Sequence, residues 1–234
     1  MHLAILLRRL FVFGLLFFNI GCAGHCLAAI LVAAADSSLR DKARADYVCD
    51  GKDDQMELAA AFAEAPQGET DLDINPKTQK TVRCALNHTV EWAAGSYHLT
   101  ETLEIPDAAN CSIQGLGTHL HYDRAEGDAI VLRGMNACRY QFGTVESWSS
   151  GAALRVCPNN GMPALMSFVD FTRLQGHHQN MLDLANENIC VNRFTGTDVA
   201  GFDKGIFVGD AGGREQSTSV HDNRPRRSVS ECLP

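Results

Sequence analysis

The amino-acid sequence predicts an all-β fold: a single-stranded parallel β-helix, or solenoid, that follows a short N-terminal capping helix. Two observations carry this prediction. From Gly95 onward the chain consists of short apolar segments separated by Gly, Asn and Asp turns, without a helical pattern. Four of these segments, AIVL, ALRV, MLDL and IFVG, begin at residues 129, 153, 181 and 206, so they recur about every 25 residues.

A second series of apolar segments interleaves with the first. It is built on Phe142, Phe171 and Phe194, which have a similar spacing. Two interleaved series indicate at least two strands in each repeat. Parallel strands need long connections, and a coil that returns one level higher with each repeat supplies them. A β-sandwich of short strands is the structural alternative.

The N-terminus resembles a targeting segment over residues 1–35. Arg8 and Arg9 precede a long apolar stretch that ends in Ala33-Ala34-Ala35. A positive start, an apolar middle and a small-residue end are typical of a secretory signal, here with cleavage before Asp36. The chain is therefore expected to be secreted, periplasmic or at the cell surface. Because residues 11–35 are also long enough to span a bilayer, an uncleaved membrane anchor is the alternative.

Residues 36–68 are predicted to form an N-terminal strand and the capping helix. The helix is expected over Gln55–Ala65, with the acidic pair Asp53-Asp54 at its N-terminus and Pro66 at its end. Its buried stripe is predicted to consist of Met56, Ala59, Ala60 and Phe62. Residues 69–212 are then assigned to the β-helix coils, and residues 213–234 to a disordered tail.

Ten segments after the cap are predicted strands. They are Ser96–Leu99, Thr102–Ile105, Cys111–Gln114, Ala129–Leu132, Ala137–Phe142, Ala152–Val156, Leu165–Phe171, Met181–Leu184, Ile189–Phe194 and Gly205–Val208. Residues 82–86 and 89–92 are candidate strands before them.

Seven of the nine cysteines follow the targeting segment, an odd number that cannot pair completely within one chain. Several lie inside apolar segments, and no CxxC or Cys/His spacing suggests a structural zinc site. We therefore predict that these cysteines are buried as small hydrophobic residues.

The formal charge of −8 argues against nucleic-acid binding. It leaves an acidic polysaccharide open as a partner, because local arginines can bind carboxylates.

The segment ADYVCDGKDDQMEL, residues 45–58, resembles the opening of pectate-lyase-superfamily proteins. Ala94–Leu99, Thr102–Pro106 and Cys111–Gly117 are similar to the family's first strands and their Gly-rich turn. The resemblance implies a right-handed parallel β-helix whose open end is covered by the helix. Family enzymes usually have more than the four or five coils that fit before Gly213, so a truncated member or a fragment is expected.

The outward-facing residues of the predicted coils mix arginine with acidic residues. In the first series Val131, Arg155, Asp183 and Phe207 face outward, and in the second series Arg139, Gln141, Asp170 and Arg193 do so. The predicted catalytic residues are Asp170, Asp183 and Arg193, and the predicted substrate-binding residues are Arg139, Arg155, His177 and His178. Alternating charge that avoids like-charge stacking on neighbouring strands explains the same pattern without a site.

The functional expectation is a carbohydrate-active protein that acts on a uronate-containing polysaccharide, as a pectate-lyase-like lyase or a polygalacturonase-like hydrolase. Arginine can bind a uronate carboxylate with two hydrogen bonds. A lyase would use Ca²⁺ held by aspartate, whereas a hydrolase needs two carboxyl groups about 5–9.5 Å apart. No cofactor is required by the sequence itself. The alternatives are a non-catalytic polysaccharide-binding or adhesin-like module, and an inactive truncated member.

Overall fold

The protein is a parallel β-solenoid of about four turns, mostly strand with few helices. The structure, a computed structural model, describes residues 29–71, 81–157, 162, 164–176, 180–184, 189–190, 192–200, 204–209 and 215–218. The predicted fold class is therefore confirmed.

The strands form three sheets. The first sheet contains β1 (Ile30–Ala33), β2 (Tyr47–Val48), β5 (Thr89–Trp92), β6 (Gly95–Leu99), β9 (Ser112–Tyr122), β12 (Arg139–Ser147), β15 (Phe168–Gly176) and β18 (Arg193–Ala200). The second contains β7 (Leu103–Ile105), β10 (Ile130–Leu132), β13 (Leu154–Val156), β16 (Asn180–Leu184), β19 (Lys204–Gly209) and β20 (Glu215–Thr218). The third contains β3 (Gln67–Asp71), β4 (Thr81–Leu86), β8 (Ala108–Ala109), β11 (Met135–Asn136), β14 (Ala164–Leu165) and β17 (Ile189–Cys190).

Each coil contributes one strand to the second sheet, one to the third and one to the first, in that order along the chain. The coils from β7 to β18 repeat this pattern with parallel pairing between neighbours. The two antiparallel pairs, β3 with β4 and β19 with β20, lie at opposite edges of the stack. Strands that pair with their counterparts one coil away exclude the β-sandwich, which is built from antiparallel sheets.

The observed strand register differs from the predicted alignment at the last segment of each of the two apolar series. Ile206 pairs with Leu182, one position away from the predicted partner. Phe194 pairs with Val169, and the residue that pairs with Phe171 is Gly196. A Cβ atom at Gly196 would lie 1.9 Å from Cε2 of Phe171. The ring of Phe171 therefore fills the space that a third stacked phenylalanine would need.

Alternate side chains in and directly before the first-sheet strands are buried inside the coils, among them Tyr140, Phe142, Val169, Phe171, Asn192 and Phe194. Val131 was expected to face outward and is also buried, so the short second-sheet strand β10 is enclosed at all three of its residues. The interior consists mainly of aliphatic and aromatic side chains stacked between consecutive coils.

The turn from the third sheet to the first is made at the same place in successive coils by a residue with positive φ. These residues are Asn87, Asn110, Ala137 and Met166, with φ of 51°, 54°, 52° and 47°. Asparagine tolerates this left-handed conformation, whereas alanine and methionine are disfavoured by a Cβ contact with the backbone. The turn is therefore strained at two of the four positions that the structure describes.

Replacing Ala137 by asparagine is expected to stabilise the protein by about 0.5–1 kcal/mol, since this exposed residue would relieve part of the left-handed penalty. The measurement is the urea midpoint of the full chain followed by circular dichroism. Ala125→Asn, at an exposed position without positive φ, is the matched control and should give little change. Equal shifts in both variants would show that the turn conformation is not responsible.

The capping helix is present as α2 (Gln55–Ala63), after a short helix α1 (Leu39–Lys42). Its buried face agrees with the predicted one only at Phe62: Gln55, Leu58, Ala61 and Phe62 are buried, whereas Met56 is 63% exposed. The cause is Gln55, whose amide donates to the hydroxyl of Thr100 and accepts from its backbone N–H, both at 3.1 Å. This pair of hydrogen bonds turns the Gln55 side of the helix toward the coils.

Asp54 precedes the helix as predicted, but its side chain does not cap the helix. The fully buried carboxylate accepts hydrogen bonds from the backbone N–H groups of Gly51 and His98, each at 2.8 Å. The neighbouring Asp53 accepts from the hydroxyl of Thr100. The two acidic residues therefore fasten the cap to β6 and the residue after it.

Two strands lie in terminal segments that the sequence analysis assigned to a targeting segment and to a disordered tail. β1 lies within the predicted targeting segment, yet it pairs with β2 and β5, and its Val32 is fully buried. β20 lies within the predicted disordered tail and pairs with β19. Residues 1–28 and 219–234 are outside the described residues. Among the residues that the structure describes, no helix has the length and apolar character needed to span a membrane.

Five cysteines among the described residues are free thiols. Cys49, Cys84, Cys111 and Cys138 are buried, as predicted, whereas Cys157 is half-buried. Burial raises the pKa of Cys84 to about 11 and that of Cys111 to about 12. The thiols of Cys111 and Cys138 each contact a backbone carbonyl of the preceding coil, at Ala85 and Ala108.

Candidate functional site

Part of the outward surface of the first sheet carries predicted site residues from three consecutive coils. Arg139, Phe168 and Arg193 pair in register on β12, β15 and β18. All three are exposed, and the Phe168 side chain is 47% exposed. Gln141 and Asp170 lie two residues further along β12 and β15, also in register. We refer to these five residues as the arginine face.

Asp170 is held by its neighbours on this face. Its Oδ2 lies 3.5 Å from Nη2 of Arg139 and 3.5 Å from Nε2 of Gln141. The carboxylate is thus engaged with a positive group and an amide on the adjacent coil. This arrangement suits a residue that positions Arg139 better than one that acts as a free acid or base.

The other predicted residues are not part of the arginine face. Arg155 and Asp183 pair in register, but on β13 and β16 of the second sheet. Nη1 of Arg155 lies 2.9 Å from Oδ2 of Asp128, whose Oδ1 accepts the N–H of Ala152. His177 and His178 lie outside the described residues. The predicted set is therefore split between two sheets, because the two apolar series belong to different sides of each coil.

The predicted pair of catalytic carboxyl groups is not assembled on one sheet, since Asp170 and Asp183 lie on different sheets. The acidic residue in register with Asp170 is Glu91, at the other end of a row that passes through Gln114 and Gln141. Three strand spacings separate them, or about 14 Å. A glycoside hydrolase needs about 5–9.5 Å.

A second group of polar residues lies on the same sheet, further along its strands. His119 and His121 alternate on β9, and Glu146 on β12 is in register with His121. Nε2 of His119 and Nδ1 of His121 each lie 3.2 Å from the same oxygen, Oε2 of Glu146. We refer to these three residues as the histidine–glutamate cluster.

The cluster is surrounded by groups that fix its side chains. The other carboxylate oxygen of Glu146 accepts the indole N–H of Trp148 at 2.9 Å. The ring of His98 stacks on that of His121, with centroids 5.1 Å apart and an interplanar angle of 13°. Nδ1 of His98 lies 3.3 Å from Oδ2 of Asp123.

Charge within the cluster is limited by the closeness of its rings. The centroids of His119 and His121 are 3.8 Å apart, so two protonated imidazoles would repel strongly at this distance. Burial, together with the charge of His119, lowers the pKa of His121 despite the opposing effect of Glu146. His121 therefore tends to present a neutral imidazole, the form that can offer a nitrogen lone pair.

Cys49, Asp54 and Glu57 form another group of potential ligand atoms beneath the capping helix. The carboxylate of Asp54 is already bound by two backbone N–H groups. Burial raises the pKa of the Cys49 thiol far above its ordinary value, so the thiolate that a metal would need is disfavoured. These residues are explained by the packing of the cap.

Sequence reasoning missed the histidine–glutamate cluster. The predicted strand Cys111–Gln114 ended before His119, whereas β9 continues to Tyr122 past a shift in register. The sequence contains His-x-His at residues 119–121, a pattern that places two side chains on one face of a strand. Glu146 follows about one repeat later. His98 lies nearly one repeat earlier.

Searches against protein-family models, curated proteins and solved structures find no significant match to this chain.

Proposed function

We propose that this chain is an exported polysaccharide-binding β-helix that holds an acidic, uronate-containing chain against the arginine face. The observation that carries the proposal is the row Arg139–Phe168–Arg193, in which two exposed guanidinium groups flank an exposed aromatic ring on consecutive coils. The row runs along the solenoid axis. An extended polymer can therefore contact all three residues at once.

The chemistry of these residues supports a carboxylate-bearing ligand. The two arginines are two strand spacings apart, about 9.6 Å, and each can form a two-pronged hydrogen bond with a carboxylate. Phe168 offers a flat apolar surface between them, to which the C–H face of a sugar ring can pack. Asp170, which accepts a hydrogen bond from Gln141, orients Arg139 from one side. The overall charge of −8 makes this local positive surface distinctive.

We also propose that the chain is a member of the pectate-lyase superfamily. It is supported by the opening segment 45–58 and by a helix that packs against the start of a parallel solenoid. Export is supported by the arginines and the apolar stretch at the N-terminus.

Binding is favoured over catalysis because Glu91, the acidic residue in register with Asp170 on this sheet, lies about 14 Å away, beyond the hydrolase distance. A lyase reaction with Ca²⁺ held by aspartate is the competing function. It differs from binding in one measurable respect, the appearance of unsaturated products.

The test is binding of the full chain to immobilised polygalacturonate, compared with a neutral glucan of similar length. We expect retention on the acidic polymer only, weakened by salt. Arg193→Glu should lower the affinity about tenfold or more, since a charge-assisted hydrogen bond contributes about 1.5–3 kcal/mol. Phe168→Ala should also weaken binding.

Arg83→Glu is the matched control, because Arg83 is an exposed arginine on β4 of the third sheet. It makes the same change of charge away from the arginine face and should retain most of the binding. Equal losses for Arg193→Glu and Arg83→Glu would contradict a localised site. Unsaturated products or new reducing ends, with or without Ca²⁺, would replace the binding proposal with the enzymatic one.

A further inference from the structure

The histidine–glutamate cluster has the donor atoms and spacing of a metal site. Two imidazole nitrogens on one strand point to a single carboxylate oxygen on the next coil, at 3.2 Å each. Ligands placed tetrahedrally around Zn²⁺ at about 2.1 Å are separated from one another by about 3.4 Å. The two nitrogen–oxygen separations are therefore close to the value that such an ion would impose, and all three atoms lie within 4.8 Å of one another.

Hydrogen bonds and a bound cation can each bring these atoms together. The Glu146 oxygen has two lone pairs and can accept from both imidazole N–H groups, whereas a cation would use the two imidazole nitrogens as lone-pair donors. A cation between the three groups would be attracted to the two imidazole nitrogen lone pairs and to the carboxylate at once.

The surrounding residues resemble the outer shell of a metal site. Metal-binding histidines and carboxylates are usually oriented by further hydrogen bonds and packing. Here Trp148 donates to the free oxygen of Glu146, and His98 stacks on His121 while its own nitrogen approaches Asp123. All three candidate ligands lie on paired strands rather than on loops, so their backbone positions are fixed by the sheet.

We propose that His119, His121 and Glu146 together bind one divalent late transition-metal ion, with Zn²⁺ as the best match. Two nitrogen donors and one oxygen donor disfavour Ca²⁺ and Mg²⁺, which select oxygen ligands. Three protein ligands leave a fourth position. Because the side chain of His119 is 41% exposed, that position faces solvent and accepts water or another oxygen donor.

The site is separate from the proposed sugar-binding function. The arginine face and the cluster use different residues, and neither proposal depends on the other. Loss of sugar binding in the Arg193 variant with metal binding retained would leave this inference unaffected.

The experiment titrates the full chain, first freed of metal with a chelator, with Zn²⁺ by calorimetry and with Co²⁺ by visible absorption. We expect one equivalent to bind, with Co²⁺ giving the intense bands of a low-coordinate site. His119→Ala, His121→Ala and Glu146→Gln should each weaken binding at least about a hundredfold, and Trp148→Phe about tenfold. Glu146→Gln is nearly isosteric, so it remains informative if a histidine variant fails to fold.

Two controls decide whether the ion sits at this cluster. Glu104→Gln removes a carboxylate that pairs with Arg133 elsewhere and should leave Zn²⁺ binding intact. His177→Gln combined with His178→Gln removes the adjacent histidine pair that could bind metal adventitiously, and should also leave it intact. No binding by the wild-type chain, unchanged binding in Glu146→Gln, or loss in the His177/His178 double variant would each overturn the proposal.

Discussion

Replacing Phe142 by alanine is expected to lower the free energy of unfolding by about 3–5 kcal/mol. The Phe142 side chain is fully buried, and its ring centroid lies 5.6 Å from that of Trp92 and 6.5 Å from that of Tyr140. It stands in register with Gly115 on one side and Phe171 on the other. The substitution therefore leaves a cavity between three coils whose backbones are fixed by their own hydrogen bonds.

Denaturant unfolding of the full chain, followed by circular dichroism, measures this loss. Phe168→Ala is the matched control, since it removes the same ring from an exposed position on the neighbouring strand. We expect it to change the midpoint little while weakening polysaccharide binding. Comparable destabilisation by the two variants would indicate that the interior near Phe142 relaxes, or that Phe168 is packed in solution.

Replacing Gly143 by alanine is expected to cost about 3 kcal/mol or more, at the upper end of overpacking effects. A Cβ atom there would lie 2.0 Å from the carbonyl oxygen of Thr118 and 2.9 Å from that of Leu116. These are backbone atoms of the adjacent strand, so no side-chain rotation can relieve the overlap. Gly143 sits where β12 passes the extra residues of β9.

The same substitution should disturb the histidine–glutamate cluster, because the strands regain their register directly after Gly143, with Thr144 opposite His119. Unfolding midpoint and Zn²⁺ affinity should therefore fall together. Gly117→Ala is the control: its nearest contact would be the Cβ of Ala94 at 3.0 Å, where a displacement of only a few tenths of an ångström relieves the overlap. A Gly143 variant as stable as the Gly117 variant would mean that the two strands separate readily at this point.

The sequence was sufficient for the fold class because burial in a solenoid is periodic. The spacing of the apolar segments identified the coils, and nearly every predicted strand coincides at least in part with an observed one. The register between neighbouring strands was harder to predict from the sequence. Phe194 was expected opposite Phe171, but the volume of one ring excludes another, so the glycine at position 196 determines the pairing. This overlap of rings becomes evident only when the coils are stacked in three dimensions.

The candidate sites were only partly predictable for a related reason. Arg139, Asp170 and Arg193 were correctly expected on one outward surface, since alternation along strands places them there. Arg155 and Asp183 belong to another sheet. Which sheet a strand joins depends on where each coil turns from one side to the next. His119 and His121 were overlooked because Gly115, Leu116 and Gly117 looked like the end of a strand. In the structure these residues form an irregularity inside β9.

The buried thiols allow the opening of individual coils to be followed by cysteine modification. Cys111 and Cys138 follow the positive-φ turns of successive coils, and each contacts a carbonyl of the coil before it. A thiol with its pKa raised by burial reacts slowly with alkylating reagents, so modification requires the surrounding coils to separate. In a structure whose repeats contact mainly their neighbours, opening can begin at one end and progress inward. The order in which these cysteines become modified would then distinguish fraying from cooperative unfolding, with no label introduced into the chain.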